Sequence, residues 1–347
     1  MTLTSLPTPR TPRSEDAPSL RWGILGTGWI ARNFVTSLHG HTRQRVQAVG
    51  SRSLESATRA ARDWEAETAH GSYEALVADP SVDVVYVATP HNHHLPHALL
   101  AIEAGKHVLV EKPVGLDAEE ARRIGDAADA AGVFCMEAMW SLFLPKFDIV
   151  RQLLDAGALG RIVAAHADMG ERFDPPHRIH RSDLAGGPLL DLGTYAATFA
   201  TWTLGAPDVV TAVATPAPTG VNGSLAIALG TPSGATASLH TSILADSATT
   251  AAVIGTDARV DLHSRYYLPG PMTLHQYEGP SLAWAEAEAE VEHDALHFEA
   301  AETARRIVDG ERGSPLRPWA DTVSTLEVMD RVRAATGLTF DDALAAR

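Results

Sequence analysis

A glycine-rich segment near the start of the chain has the residue types and spacing that bind a dinucleotide. It fits the pattern G-x-G-x-x-G/A and consists of Gly26, Thr27, Gly28, Trp29, Ile30 and Ala31. The first glycine allows a tight turn, the second lets the backbone approach a pyrophosphate, and the small third residue lets the helix pack closely on the sheet. The segment follows an apolar run and opens a helical stretch, so it predicts a nicotinamide dinucleotide site rather than a glycine turn without ligand.

The residues after the second predicted strand indicate which dinucleotide binds. An NAD enzyme is expected to carry Asp or Glu there to hold the ribose 2′-hydroxyl. This chain carries Ser51 and Arg52 instead, and a hydroxyl with an arginine fork can bind a 2′-phosphate. We therefore predict NADP, and Glu55 nearby leaves NAD open.

The carboxyl end of the third predicted strand carries further polar residues. Thr89, Pro90, His91 and His94 are expected to shape the nicotinamide end of the site. The histidine spacing matches no strong ligand motif, so we predict no metal.

Glu111 and Lys112 end the following strand, and Pro113 comes directly after them. We place Glu111 and Lys112 beside the cofactor. A lysine there can stabilise the alkoxide that develops as hydride leaves a carbon.

The elements that position these residues alternate between strands and helices over residues 20–138. This alternation predicts βαβ units and a doubly wound parallel sheet, the Rossmann arrangement. After residue 138 the pattern changes, and residues 208–277 have spacings typical of antiparallel hairpins. We predict a flexible arm over residues 1–19, a dinucleotide-binding domain over 20–138 and an α+β domain for substrate and dimer contacts over 139–347.

Composition excludes several classes of partner. The 347 residues carry a formal net charge of −15, which argues against a surface that binds nucleic acid. The sequence contains no apolar run long enough to span a membrane and no signal-peptide core within the first 19 residues. With one cysteine no intrachain disulfide can form, so we expect a reducing, cytoplasmic location.

Several segments together resemble the glucose–fructose oxidoreductase/inositol dehydrogenase family. They are residues 26–31, 101–108, 111–113 and 184–195. Tyr195 stands where many members carry histidine, and with residues 136–140 and 298–300 it is similar to the dimeric dihydrodiol dehydrogenase and NADP-dependent xylose dehydrogenase branch. The resemblance covers about residues 20–340, is weakest over 205–290, and implies a large, mostly antiparallel sheet in the second domain.

The resemblance also implies roles for individual residues. Lys112 would hold the ribose and stabilise the alkoxide, Tyr195 would act as general acid or base, and Asp191 would orient the substrate. Which of Lys112 and Tyr195 transfers the proton stays open, and a nearby ammonium is expected to lower the tyrosine pKa. Trp140 and Arg178 are candidate substrate contacts, with a core aromatic and a surface arginine as the alternatives.

These inferences define one main function and two alternatives. We expect an NADP-dependent oxidoreductase that acts on a CH–OH or C=O group of a sugar, polyol or cyclic diol, and that forms a homodimer. One alternative is a ketoreductase of a nucleotide-linked deoxysugar, which shares every motif. The other is an NADP-sensing regulator without catalysis, against which Lys112, Asp191 and Tyr195 argue.

Overall fold

The computed structural model describes residues 2–285 and 293–346, which form an α/β unit and an α+β unit that pack against each other. In the first unit the strands are β1 (Arg21–Leu25), β2 (Arg45–Gly50), β3 (Thr68–His70), β4 (Val84–Val87), β5 (His107–Glu111) and β6 (Cys135–Ala138). The helices between them are α1 (Trp29–His41), α2 (Leu54–Asp63), α3 (Tyr73–Val77), α4 (His94–Glu103) and α5 (Ala118–Ala131).

The first sheet is parallel, with strand order β3-β2-β1-β4-β5-β6. The order reverses direction between β1 and β4, and in such sheets ligands bind at this switch point. All four residues of β4 are buried, as expected for a strand covered on both faces. Five of these six strands coincide with apolar runs in the sequence. The sixth, β3, is an edge strand of three residues and is too short to show a periodicity.

The second unit is built around a large sheet. After α6 (Pro145–Asp155) come β7 (Ile162–Gly170), a π-helical turn (Leu189–Gly193) and α7 (Thr194–Leu204). The remaining strands are β8 (Val209–Pro216), β9 (Asn222–Gly230), β10 (Thr236–Ser242), β11 (Ala251–Gly255), β12 (Ala258–Leu262), β13 (Pro271–Gln276) and β14 (Leu282–Ala285). The strand order is β14-β13-β12-β11-β7-β10-β9-β8, and β7 with β10 is the one parallel pair among these strands of the described chain. The prediction of a mostly antiparallel sheet is confirmed.

The last helices join the two units. They are α8 (His297–Val308), α9 (Trp319–Thr336) and α10 (Asp341–Ala345). Helix α9 packs on α5 of the first unit and on α7 of the second, and α8 packs on α1. The two units are therefore held together by packed helices and not only by the segment of chain that links them. Among the described residues no helix is long and apolar enough to cross a membrane.

The N-terminal segment lies against the body of the protein, whereas its composition predicted a flexible arm. Arg10 makes a two-pronged ion pair with Asp148 of α6, at 3.0 and 2.6 Å. Ser14 Oγ lies 2.8 Å from Nδ1 of His297, and Ala17 is fully buried. These partners are far away in sequence, so local composition could not indicate them.

Candidate active site

The predicted dinucleotide turn has the geometry that its sequence requires. Gly26 has φ +104°, and a Cβ there would lie 2.7 Å from the carbonyl oxygen of Ala88. A Cβ on Gly28 would meet no atom of the described residues within 4 Å, so the backbone borders open space. Helix α1 begins at Trp29, and Ala31 is fully buried where the helix meets the sheet. The turn therefore fits a pyrophosphate bound at a helix N-terminus.

The ends of β2 and β4 extend this site in two directions. Arg52 is exposed beside Tyr73, where it opposes the rise in the Tyr73 pKa that burial causes. On the other side, the two ring nitrogens of His94 lie 2.8 Å from the carbonyl oxygen of Thr89 and 2.7 Å from that of Pro113. Burial lowers the pKa of His94 to about 4, so the ring is neutral. A neutral imidazole has one N–H, so His94 donates a hydrogen bond to one of these two carbonyl oxygens and packs between the loop after β4 and the loop after β5.

One cavity of about 550 Å³ lies between the two units. It is lined by every residue that the sequence analysis assigned to cofactor, substrate or catalysis, namely Gly26, Thr27, Gly28, Trp29, Ile30, Ser51, Arg52, Thr89, Pro90, His91, His94, Glu111, Lys112, Trp140, Arg178, Asp191 and Tyr195. The structure brings these residues together, and their individual roles stay predictions. In the described ranges, no group of three or more His, Cys, Asp or Glu side chains is arranged to hold a metal ion.

Lys112 reaches from the first unit into the second. Its Nζ donates a hydrogen bond of 2.8 Å to the carbonyl oxygen of Asp191 and lies 4.8 Å from the centre of the Tyr195 ring. Burial lowers the pKa of Lys112, and the carboxylates of Asp191 and Glu111 oppose that shift. The ammonium is therefore easier to deprotonate than a solvated lysine, which suits a group that exchanges a proton.

Asp191 is held as a charged carboxylate. Arg178 donates two hydrogen bonds to its carboxylate, of 2.8 and 3.1 Å, and His91 Nε2 lies 3.6 Å from Oδ1. Burial alone would raise the pKa of Asp191, but Arg178, His91 and Lys112 hold it well below its usual range. Asp191 lies in the π-helical turn and Tyr195 in α7, and both face the cavity. Such π-helical turns are frequent at functional sites.

Tyr195 stays a neutral phenol. Its hydroxyl oxygen accepts a hydrogen bond of 2.7 Å from Nε1 of the buried Trp140. Burial raises the pKa of Tyr195 well above its ordinary value, and the Trp140 bond offsets only part of that rise. The expectation that a nearby ammonium would lower this pKa is wrong, because removing the phenolate from water costs more than its neighbours return.

A group of buried carboxyls lies behind Lys112. Glu111 accepts hydrogen bonds from the Tyr86 hydroxyl and from the Lys112 backbone N–H, and burial raises its pKa to about 7. Glu299 of α8 is fully buried, and neither carboxyl oxygen has a hydrogen-bond partner in the part of the chain that the structure describes. Burial, with Glu111 and Glu137 nearby, raises the pKa of Glu299 well above its usual value. The raised pKa favours the neutral form of Glu299, and the ionised Asp191 is the main carboxylate that acts on Lys112.

Several residues that line the cavity were missed by the sequence analysis. They are Tyr73, Met169, Glu171, Phe173, His177, Tyr267 and His293. Tyr267 lies 4.9 Å from the ring of Tyr195, in the region where the resemblance is weakest. None of these residues belongs to a motif with a chemical requirement, so single-sequence reasoning had no signal for them.

A dinucleotide turn that faces a half-buried lysine, a tyrosine and a carboxylate is the arrangement of a hydride-transferring oxidoreductase. Two family models match the chain: residues 20–139 match "Oxidoreductase family, NAD-binding Rossmann fold", and residues 147–261 match "GFO/IDH/MocA C-terminal domain". The chain belongs to this GFO/IDH/MocA family of oxidoreductases, which confirms the resemblance inferred from its motifs.

Individual relatives cover nearly the whole chain. Mouse trans-1,2-dihydrobenzene-1,2-diol dehydrogenase is 35% identical over 330 residues, which span 93% of this chain and 98% of that protein. The D-xylose 1-dehydrogenase (NADP(+)) of Hypocrea jecorina is 30% identical and covers 93% of this chain and 94% of its own. A 3-ketoreductase of Actinomadura kijaniata, solved with NADP and TDP-benzene, superposes with a TM-score of 0.81 at 26% identity, covering 92% and 98% of the two chains.

Proposed function

We propose that the protein is an NADP-dependent oxidoreductase acting on a CH–OH or C=O group of a sugar, polyol or cyclic diol. The observation that carries the proposal is the convergence of Lys112, Asp191 and Tyr195 in the cavity that continues to the dinucleotide turn. The relatives named for dihydrodiol and xylose oxidation support the substrate class.

The cofactor, when bound, supplies or accepts the hydride, and the residues of the chain handle the proton. Lys112 is the proton-transferring group that the pKa directions favour, because burial brings its pKa down while that of Tyr195 rises. The Tyr195 hydroxyl donates a hydrogen bond to the substrate oxygen, because its own oxygen already accepts one from Trp140. Asp191, fixed by Arg178, orients the substrate hydroxyls.

A screen of aldoses, inositols and dihydrodiols with NADP and with NAD tests this function, read by the absorbance of the reduced cofactor. Turnover of at least one of these substrates with NADP is expected. The Actinomadura relative favours one second candidate, a ketoreductase of a nucleotide-linked deoxysugar. Reduction of a nucleotide-linked ketosugar, with no turnover of the free polyols, would select that candidate.

Arg52 is expected to select NADP over NAD. Replacing Arg52 with alanine removes a charged donor to the 2′-phosphate, so the KM for NADP should rise roughly tenfold to a hundredfold. The KM for NAD should change by less than about twofold, because NAD carries no charge at that position. Arg59→Ala on α2 is the matched control, since Arg59 is also exposed but does not line the cavity. Equal losses with both cofactors would contradict the assignment.

We also propose that the protein is a homodimer that buries the outer face of the large sheet. His166, Ser238, Ala228 and Thr211 form one row across four neighbouring strands and are all exposed. Three of these four side chains, those of Ser238, Ala228 and Thr211, are short and would let a second sheet approach closely. We further propose a cytoplasmic location, supported by the single cysteine, Cys135, which is buried and forms no disulfide.

Sedimentation should therefore give twice the 36.9 kDa chain mass. Ala228→Arg would place a charged side chain in the proposed interface, so this variant is expected to sediment as a monomer. Ala130→Arg, on the exposed part of α5, should stay dimeric. A monomeric wild-type protein, or an Ala228→Arg variant that stays dimeric, would rule out this face as the interface.

A further inference from the structure

The His293 ring lies between the dinucleotide turn and two aromatic residues that line the cavity, Trp140 and Tyr267, here called the aromatic wall. Its ring lies 4.7 Å from that of Trp29 and meets it edge-on, at 80°. On its other side it lies 5.3 Å from Trp140 and 6.4 Å from Tyr267. Tyr267 in turn contacts Tyr195, so aromatic rings follow one another from Trp29 in the first unit to Tyr195 in the second.

The position of His293 is fixed by the turn that follows it. Oδ2 of Asp294 lies 2.8 Å from Nε2 of His41, and the Ser37 hydroxyl donates to the carbonyl oxygen of Asp294. The backbone N–H of His297 donates to the same Ser37 oxygen at 3.0 Å. His293 itself has φ +66°, a conformation that a non-glycine residue keeps only where its surroundings require it. The second unit thus anchors this ring on α1, beside the cofactor turn.

The chemical state of the ring suits contact with an uncharged substrate. Burial lowers the pKa of His293 to about 4, with Lys112 and Arg265 acting in the same direction, so the imidazole is neutral at physiological pH. Its Nδ1 is buried and has no hydrogen-bond partner within residues 2–285 and 293–346. The contacts that the structure shows for this ring are those with the rings of Trp29, Trp140 and Tyr267.

We propose that His293 is a specificity-determining residue that packs its flat ring against a cyclic substrate, at the point where the cofactor turn meets the aromatic wall. The inference rests on the proposed function and narrows its substrate class. A ring-shaped substrate with an apolar face gains contact area with His293, Trp140 and Tyr267, whereas an open-chain polyol presents hydroxyls to these rings.

Three variants test the proposal: His293→Ala, His293→Phe and, as control, His297→Asn. His297 belongs to the same turn and packs on His41, but it does not line the cavity. The KM and kcat are measured for a cyclic diol and an open-chain polyol, and the Kd for NADPH is measured without substrate.

His293→Ala is expected to raise the KM for the cyclic diol on the order of tenfold and to change kcat less than about threefold. The KM for the open-chain polyol and the Kd for NADPH should change less than about threefold. His293→Phe keeps a flat ring and should restore the cyclic-diol KM, and His297→Asn should resemble the wild type. Equal KM changes for both substrates, or a phenylalanine variant as poor as the alanine variant, would overturn the proposal.

Calorimetric binding of the cyclic diol to the NADPH complex repeats the comparison without turnover. A selective loss of diol affinity in His293→Ala would support the role of His293 even if the proposed reaction were wrong. Unchanged diol affinity would overturn it even if the wild-type enzyme turned the diol over. Failure of the proposed function is recognised separately, as absence of turnover across the whole substrate screen.

Discussion

Replacing Lys112 with methionine is expected to lower kcat by about a thousandfold or more, while the Kd for NADP changes only a few-fold. Methionine keeps most of the aliphatic volume but cannot carry a charge or exchange a proton. The wild-type Nζ bridges the two units through the Asp191 carbonyl and lies over the Tyr195 ring, so its loss removes the group that exchanges the proton with the substrate oxygen.

The experiment separates chemistry from binding and from stability. Turnover is measured at saturating substrate, and NADPH affinity is measured by fluorescence on the same preparation. Lys106→Met is the matched control. Lys106, like Lys112, donates from Nζ to backbone carbonyl oxygens, those of Asp79 and Val82, but it does not line the cavity. Lys106→Met is expected to lose some stability and keep kcat. Undiminished turnover in Lys112→Met would disprove the proposed mechanism.

The pH dependence gives a second readout of the same variant. Oxidation requires Lys112 as an uncharged base, so the wild-type kcat should rise with pH until the Lys112 pKa, which burial places below 10.5. Reduction requires the ammonium as acid, so that rate should fall over the same range. In Lys112→Met both limbs are expected to disappear, because the group that titrates is gone.

The parts of the site that the sequence predicted are those with local requirements. The turn at Gly26 needs a positive φ, and Gly28 needs open space for a ligand, so residue type and spacing together reveal both. Lys112 was found because it ends a strand of a parallel sheet, whose carboxyl edge lines the ligand crevice. These features depend on a few neighbouring residues, and one sequence contains them.

Features that depend on distant contacts could not be predicted in the same way. His293 reaches the cavity because Asp294 docks on α1, more than 250 positions earlier in the chain. The raised pKa of Tyr195 follows from its burial between the two units, which no local sequence pattern indicates. Likewise, the arm over residues 2–19 is held by Asp148 and His297, and its composition shows neither contact.

The second large expected effect on turnover comes from the Tyr195 hydroxyl rather than from the Lys112 ammonium. Tyr195→Phe removes one hydroxyl and is expected to lower kcat by roughly 10²-fold, less than Lys112→Met, because the proton-transferring lysine remains. The KM should change less than kcat, since the ring and its contact with Tyr267 are kept. Trp140 Nε1 would lose its acceptor, so a moderate loss of stability, of about 1–3 kcal/mol, is also expected.

Tyr266→Phe supplies the control that distinguishes these effects. Tyr266 directly precedes the cavity residue Tyr267 and, like Tyr195, is buried. Its hydroxyl has no hydrogen-bond partner among the described residues. Its loss should therefore leave kcat unchanged and stability unchanged or slightly improved. In Tyr195→Phe the pH limb of kcat should persist at the wild-type position, because the Tyr195 pKa lies above the range in which Lys112 titrates. If the limb vanished with the hydroxyl while Lys112→Met retained it, the proton transfer would belong to Tyr195, and the two roles would have to be exchanged.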